Sequence, residues 1–488
     1  MRSVTFFLFV FLMSTPAIIN AQLQPLKGIT LLIDFEDLPA DLSDERIDNL
    51  INGEGYTEDG VPSSIRDYWQ NQSRDSIDLT YDIFGHFRAP LTFAEYELMD
   101  WTLVNDLVTD ALDSVVAQNP DYNWDELSTH SSPGLEGALL SVNVITTGWV
   151  PGAGGSHWST DWVAPNGYYL HGFSVQPLTS SWDPEFIYLF VMAHEVGHAA
   201  WGFPDTYDYD GSSFGTGFYS LMSGNQLGGE IESIGAPFYL DANWANPIDM
   251  EPNTFYTLKQ DGKFIARYLN PSDPNEYFLI EACMKSTPGN AAFPVERGLV
   301  IWHIDENVTT NNTLENRTYD EHYAYSIEQA DGYFDLENHI NQGDEGDIYV
   351  EGDHFSSVSM PNSNWWNDET SELDINNSEF LPDNSIRFCN GDCGHAGIET
   401  SETQSIFTYP NINNGHFWIN FSEITLDDNL FLEIISPSGV LIETREISSN
   451  KNEKLEVQLA TDYSGFVFIR ISNSSQESLF TGRMVIQQ

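Results

Sequence analysis

The chain has 488 residues, more than one compact domain usually holds, so two to three domains are expected. Its apolar content of 41 % is ample for large cores, whereas 18 basic and 74 acidic residues leave a net charge of −56. A surface this negative repels phosphate backbones and anionic lipid headgroups, which argues against nucleic acid or a membrane surface as a partner.

The N-terminal segment 1–21 has the pattern of a signal peptide. Arg2 precedes an apolar run over residues 4–13, and small residues follow up to Ala21. Cleavage is therefore expected between Ala21 and Gln22. No later run approaches the roughly 18 to 20 apolar residues that a bilayer crossing needs. We expect a secreted protein, extracellular or attached to the cell surface, without a membrane span.

Strands and helices alternate in the segment that follows. A strand is predicted over Ile29–Ile33 and a buried strand over Leu139–Ile145. Between them, apolar residues repeat at helical spacing over Thr102–Gln118, which predicts a helix. Short strands dominate after Gly228. This mixture predicts an α+β domain over residues 22–400.

The next helix carries the most informative motif, and its expected span is near residues 184–201. Asp183 is a suitable N-cap and Pro184 a suitable first residue. Gly202 can adopt the left-handed conformation that often follows the end of a helix. Within this span, residues 194–198 read His-Glu-x-x-His.

Two histidines one helical turn apart can bind one metal ion. His194 and His198 lie four residues apart and therefore share a helix face. Neutral imidazole is a good ligand for Zn²⁺, which lowers the pKa of a bound water to roughly 7. Glu195 is displaced by about 100° around the helix axis and can act as general base for that water without binding the metal. These residues predict a catalytic zinc site.

A catalytic zinc site needs a third protein ligand. Asp205 and Asp208 follow Gly202, and Asp205 is the better candidate, because Gly202 can turn the chain back beneath the metal. Asp208 or a distant carboxylate is an alternative. The run Asp205–Asp210 could instead bind Ca²⁺ through its spaced carboxylates.

The segment HEVGHAAWGFPDTYD, which begins at His194, resembles the signature of the immune inhibitor A family of secreted zinc metallopeptidases. Further blocks resemble the family in the same order and extend the resemblance to roughly residues 28–385. The resemblance implies a zincin or metzincin-like fold and zinc-dependent endopeptidase activity on protein and peptide substrates, with Glu195 as general base. It also implies that Met222, in the sequence Ser-Leu-Met-Ser, forms a Met-turn beneath the zinc.

One departure from the family signature affects the third ligand. Three residues separate His198 from Gly202, whereas the family usually has two. One extra residue rotates a continuing helix by about 100°, so Asp205 can ligate only if the loop absorbs the insertion. The departure supports an alternative function, a catalytically silent surface adhesion or binding protein that keeps the peptidase scaffold.

The last part of the chain, residues 405–488, is predicted to be a small antiparallel β-sandwich. Six strand-like runs follow one another at short intervals, and turns such as Ser436–Gly439 separate them. The segment resembles the C-terminal sorting domain of the type IX secretion system. The resemblance implies that the secretion machinery is a partner of this domain.

Three cysteines are too few for a disulfide scaffold. Cys389 and Cys393 lie close enough in the chain to pair across a small loop, which leaves Cys283 buried and free. Zinc ligation by these cysteines is not expected, because a second pair is missing.

Overall fold

The computed structural model describes residues 23–158, 162–178, 187, 189–223, 231–259, 262–284, 297–309, 311, 316–393, 405–409, 412–413, 415–422, 430–436, 440–447, 454–459, 463, 465–472 and 478–486. The expected signal peptide, residues 1–21, lies outside this part of the chain, as do Asp183 and Pro184. The fold is α+β, as predicted from the alternation of strands and helices.

The N-terminal part is built around a five-stranded mixed sheet. Its strands are β1 (Gln24–Asp34), β2 (Ile77–Arg88), β3 (Val142–Thr146), β4 (Gly155–Trp158) and β5 (Gly172–Pro177). Their order is β2-β1-β3-β5-β4, and β4 at the edge runs antiparallel to β5 while the other pairs are parallel. The strand predicted over Ile29–Ile33 is confirmed as part of β1. Strand β3 begins three residues later than the strand predicted from Leu139.

Helices cover both faces of this sheet. They are α1 (Asp44–Asn52), α2 (Ile65–Gln72), α3 (Phe93–Tyr96), α4 (Val104–Gln118), α5 (Leu189–Val196) and α6 (Ala236–Asp241). Successive side chains of a strand point to opposite faces. Leu31 of β1 therefore shares a core with Val108 of α4, and Leu32 shares another with Met192 of α5. The predicted helix over Thr102–Gln118 is confirmed as α4.

Two further sheets follow α6. Their strands are β6 (Asn246–Asp249), β7 (Thr254–Leu258), β8 (Phe264–Leu269), β9 (Glu276–Met284), β10 (Arg297–Asp305), β11 (Tyr325–Ile327), β12 (Ile375–Phe380) and β13 (Ile386–Asn390). One sheet has the order β11-β10-β9-β8-β6 and the other the order β12-β13-β7. Phe278 of β9 and Phe388 of β13 belong to one hydrophobic core, so the two sheets pack together. The disulfide between Cys389 and Cys393 is confirmed, and Cys283 is buried and free.

The C-terminal part consists of strands alone in its described residues. They are β14 (Ser405–Tyr409), β15 (Ile412–Asn413), β16 (His416–Ser422), β17 (Leu430–Ile435), β18 (Leu441–Ile447), β19 (Lys454–Gln458), β20 (Gly465–Ser472) and β21 (Ser478–Ile486). They form two sheets, β14-β16-β19 and β15-β21-β20-β17-β18, in which the short pair β15–β21 is parallel and the other pairs are antiparallel. Phe417 of β16 and Ile469 of β20 belong to one core, so the sheets face each other as in a β-sandwich.

This fourth core contains residues between 417 and 486 and is separate from the three cores of the preceding part. The segment 394–404, where the domain boundary is expected, lies outside the described residues. In the part of the chain that the structure describes, no helix has the length and apolarity that a bilayer crossing demands.

Candidate metal centre

Helix α5 carries the first histidine, and it begins later than the sequence indicates. Its α-helical part, Leu189–Val196, continues directly into a π-helical turn, Gly197–Trp201, which carries His198. The start expected near residue 184 lies outside the described residues, and Ile187 lies in a β-bridge and not in the helix. Ile187 is β-branched and buried, properties that favour extended backbone.

The π-helical turn accommodates the extra residue before Gly202. A π turn closes with hydrogen bonds between residues i and i+5 and therefore holds one residue more than an α turn. The Gly202 N–H donates to the carbonyls of Gly197 and His198, and Gly202 has a φ of 72°, the left-handed conformation predicted for it. The extra residue is thus part of the last, π-helical turn. The direction in which the chain leaves the helix toward Asp205 is therefore not rotated by about 100°, as it would be if an α-helix continued for one more residue.

Aromatic packing holds this turn in place. The ring centroid of Trp201 lies 4.2 Å from that of Trp69 and 5.1 Å from that of Trp244. Trp69 is completely buried on α2. The π-helical turn is therefore fixed by contacts with residues that are far away in sequence, which local helix propensity does not reveal.

Each histidine points its Nε2 atom toward Asp205. The Nδ1–H of His194 donates to the carbonyl of Leu221 at 2.9 Å, and that of His198 donates to the carbonyl of Phe203. These bonds orient the rings and leave Nε2 as the ligand atom. The two Nε2 atoms are 3.1 Å apart, and Asp205 Oδ1 lies 3.1 Å from the first and 3.0 Å from the second.

The triangle of these three atoms fits a zinc ion. Zn²⁺ binds imidazole nitrogen and carboxylate oxygen at about 2.0–2.2 Å, and tetrahedral geometry then separates ligand atoms by about 3.4 Å. The observed separations of 3.0–3.1 Å are slightly shorter, so a small outward movement admits the ion. Among the described residues, no second group of three His, Cys, Asp or Glu side chains gathers its ligand atoms in this way.

Burial and charge act in opposite directions on the ionisable ligands. Burial favours a raised pKa for Asp205, but hydrogen bonds from His194 and His198 outweigh it and hold that pKa below its usual range. Burial favours a lowered pKa for His198, yet the Asp205 carboxylate outweighs it and the pKa is raised. Asp205 is thus ionised at neutral pH, the form that a metal binds, whereas protons compete with the metal for His198.

Glu195 receives a hydrogen bond from the edge of the first sheet. The hydroxyl of Ser156, on β4, donates to Glu195 Oε2 at 2.6 Å. Glu195 is buried, yet it borders the same cleft as His194. The bond from Ser156 fixes one oxygen and thereby the orientation of the carboxylate beside the ligand triangle.

Met222 packs against the helix at Gly197, the residue before His198. It is completely buried in the 3₁₀ turn Leu221–Ser223, and its Sδ atom is 2.9 Å from the position that a Cβ atom at Gly197 would occupy. A larger residue at Gly197 would therefore displace the thioether. The same turn supplies the carbonyl that orients His194. The Met-turn role of Met222 stays a prediction, and its packing against Gly197 is consistent with that role.

A cleft of about 380 Å³ opens beside these residues. Its wall includes His194 and Glu195, together with the aromatic side chains of Trp149, Tyr207 and Phe214. The side chains of the three candidate ligands are 7–13 % exposed, so the triangle is not sealed in the interior. A catalytic zinc site needs such an open side, whereas a structural site closes it with a fourth protein ligand.

A larger cavity, of about 520 Å³, is lined by His303, Arg317, Glu328 and Glu337 among others. Two of its acidic side chains already have a partner, since Arg317 donates to Glu328 at 2.6 Å and to Glu337 at 2.8 Å. Size alone would favour this cavity as the functional site. The chemistry favours the smaller cleft, because it is lined by Glu195 and by His194, one of the three candidate ligands.

The proposed Ca²⁺ site over Asp205–Asp210 is not assembled. Asp205 faces the histidines, whereas Asp208 Oδ2 accepts hydrogen bonds from the Ser212 hydroxyl at 2.7 Å and the Ser213 N–H at 3.0 Å. These bonds tighten the loop around Asp208 itself. Asp208 lines the cleft beside His194 and Glu195 but is not one of the three converging side chains, and its hydrogen bonds give calcium at this run no support.

Deleting Ala200 should leave the metal site intact. Removal of one residue converts the π-helical turn into an α turn, and Gly202 and Asp205 then keep their places relative to His198. We expect the dissociation constant for Zn²⁺, measured by competition with a chelator, to change by less than about 10-fold. Deletion of Val196 is the control, because it destroys the spacing between the histidines and should abolish binding. A loss of zinc in both deletions would contradict the role given to the π-helical turn.

Sequence reasoning found the three ligand candidates but missed two hydroxyl groups beside them. Ser156 lies 39 residues before Glu195 on another element, and no local pattern connects the two. Tyr209 donates to Asp205 Oδ2 at 2.5 Å. A tyrosine four residues after an aspartate is common in proteins, so the sequence alone did not indicate a role for Tyr209.

No protein-family model matches the chain, and no curated protein matches it either.

Proposed function

We propose that this chain is an exported, zinc-dependent endopeptidase with a metzincin-like catalytic domain of the immune inhibitor A type. The observation that carries the proposal is the convergence of His194, His198 and Asp205 on one point, with Glu195 next to it at an open cleft. Catalytic zinc sites have three protein ligands and one open position. Two imidazoles and one carboxylate, with one side of the site accessible, match this arrangement. The segment HEVGHAAWGFPDTYD adds the resemblance to this family.

In this proposal each residue has a separate task. His194, His198 and Asp205 would hold Zn²⁺, which would supply Lewis acidity at this site. Glu195 would accept a proton from the attacking water as the water oxygen bonds to the scissile carbonyl carbon. The same carboxylic acid then protonates the amide nitrogen as the C–N bond breaks. The cleft walls, with Trp149, Tyr207 and Phe214, hold the peptide.

The second function considered, a silent adhesion or binding protein, depended on the insertion before Gly202. Our proposal is supported by the π-helical turn, which holds the extra residue, and by Asp205 Oδ1, which lies 3.0 Å from His198 Nε2. The separate C-terminal core is compatible with a tail that acts on its own. We propose that it is the sorting domain read by the secretion machinery: in the native host, removal of 405–488 should keep the protein from the cell surface and the medium, and unchanged secretion would refute this.

The proposal is tested by measuring zinc content and proteolysis on the same sample. The purified chain should contain one Zn²⁺ per molecule and should degrade unfolded casein. A chelator should stop the reaction, and added Zn²⁺ should restore it. A zinc-replete protein that cleaves no unfolded protein substrate would instead favour the silent binder, and a protein without zinc would remove the basis of both the site and the mechanism.

Ser156 should affect turnover without affecting zinc. Replacing Ser156 by Ala removes a hydrogen bond to a charged group, an interaction worth about 1.5 kcal/mol or more, which corresponds to about a 10-fold lower kcat. KM and zinc content should stay unchanged, because Ser156 is not one of the three candidate ligands and does not itself line the cleft. Ser156→Thr keeps the hydroxyl and should keep kcat within a few-fold. Equal kcat values for the Ala variant and the unmodified protein would show that this bond has no role.

A further inference from the structure

The two oxygens of the Asp205 carboxylate have different partners. Oδ1 lies 3.0–3.1 Å from the two histidine Nε2 atoms and belongs to the ligand triangle. Oδ2 accepts a hydrogen bond from the Tyr209 hydroxyl at 2.5 Å. One oxygen is thus directed at the metal position and the other is held by a phenol.

The difference matters because a carboxylate can bind a metal through one oxygen or through both. Binding through both would occupy an additional position on the metal. A catalytic zinc site keeps a position for water in addition to its three protein ligands. Hydrogen bonds to the second oxygen of a ligand carboxylate orient it, and they are a recurring feature of such sites.

The surrounding loop positions the Tyr209 hydroxyl, although the Tyr209 side chain is not part of a hydrophobic core. The ring centroid of Tyr209 lies 5.0 Å from that of Tyr207, which in turn lies 6.2 Å from that of His194. Asp208 fixes the loop through its bonds to Ser212 and Ser213. Tyr209 as a whole is 58 % exposed, so its hydroxyl can be removed with little effect on folding.

We propose that Tyr209 is a positioning residue, whose hydroxyl keeps Asp205 a one-oxygen ligand and so keeps a coordination position open for water. This inference rests on the proposed zinc site. It assigns to Tyr209 an effect on metal affinity and coordination number that neither the His-Glu-x-x-His motif nor the carboxylate alone specifies.

The test is the full-length Tyr209→Phe variant, compared with the unmodified protein. Its dissociation constant for Zn²⁺, from chelator competition, should be about 10- to 100-fold higher, the usual effect of removing a group that orients a metal ligand. With Co²⁺ in place of Zn²⁺, the visible absorption should weaken as Asp205 binds through both oxygens and the coordination number rises. Tyr319→Phe is the matched control, since Tyr319 is 66 % exposed and lies outside this cleft.

The outcomes separate this inference from the proposed function. If the unmodified protein binds zinc and Tyr209→Phe shows the same affinity and the same Co²⁺ spectrum, the role of Tyr209 is refuted while the zinc site stands. If the Tyr319→Phe control shifts equally, the effect is not specific and the inference is likewise refuted. If the unmodified protein binds no zinc, both the proposed function and the inference fall together.

Discussion

The Glu195→Gln variant should bind zinc as tightly as the unmodified protein and should lose nearly all peptide hydrolysis. Glutamine has almost the same shape and can still accept the hydrogen bond from Ser156, but it cannot take a proton from water. General-base catalysis is worth about 10²- to 10⁴-fold in rate, so kcat should fall by that factor. Glu195 is not one of the three converging ligands, and zinc content should therefore remain at one ion per molecule.

Steady-state hydrolysis of a fluorogenic peptide, with zinc measured on the same sample, checks this prediction. The Glu54→Gln variant is a suitable control, because the Glu54 side chain is 83 % exposed on the surface and the substitution makes the same change of charge. Its kcat should be unchanged. Full activity in the Glu195→Gln variant would show that another group acts as the base.

The second large effect concerns the third ligand. Asp205→Ala should raise the dissociation constant for Zn²⁺ by about 10²- to 10³-fold. The estimate follows from structural zinc sites, in which a binding free energy of roughly 10–16 kcal/mol is shared among four protein ligands, about 2.5–4 kcal/mol for each. Activity measured at a limiting zinc concentration should be lost, and excess zinc should restore only part of it.

Asp208→Asn provides the comparison for Asp205→Ala, since Asp208 was the alternative ligand in the sequence. Its oxygens accept hydrogen bonds within the loop, and an amide oxygen can still accept one of them. Zinc affinity should therefore change by less than about 10-fold. The opposite pattern, with zinc lost from the Asp208 variant and kept by the Asp205 variant, would exchange the roles of the two residues.

The elements that sequence reasoning located correctly are those specified by nearby residues. The period of apolar side chains located α4, and the alternation along Val467, Ile469 and Ile471 located β20. The spacing of His194 and His198 placed two ligand candidates on one helix face, because four residues make about one turn. Gly202 ends that helix because its left-handed φ is available to glycine at little cost.

The features that could not be predicted depend on contacts between distant residues. Asp205 reaches the histidines because a π-helical turn absorbs the insertion, and that turn is held by Trp201 against Trp69. Ser156 meets Glu195 only when β4 lies beside α5. The helix is described from Leu189, and Ile187 before it lies in a β-bridge, whereas the capping signals at Asp183 and Pro184 lie outside the described residues. The export signal at residues 1–21 and the sorting role of the tail stay predictions.

The most direct test of the central claim is a crystal structure of the zinc-loaded protein with anomalous data collected at the zinc absorption edge. The account predicts one strong anomalous peak within about 2.0–2.2 Å of His194 Nε2, His198 Nε2 and Asp205 Oδ1, with a water at the side that faces the cleft. A peak held by other residues, or no peak at these three atoms despite bound zinc, would contradict it.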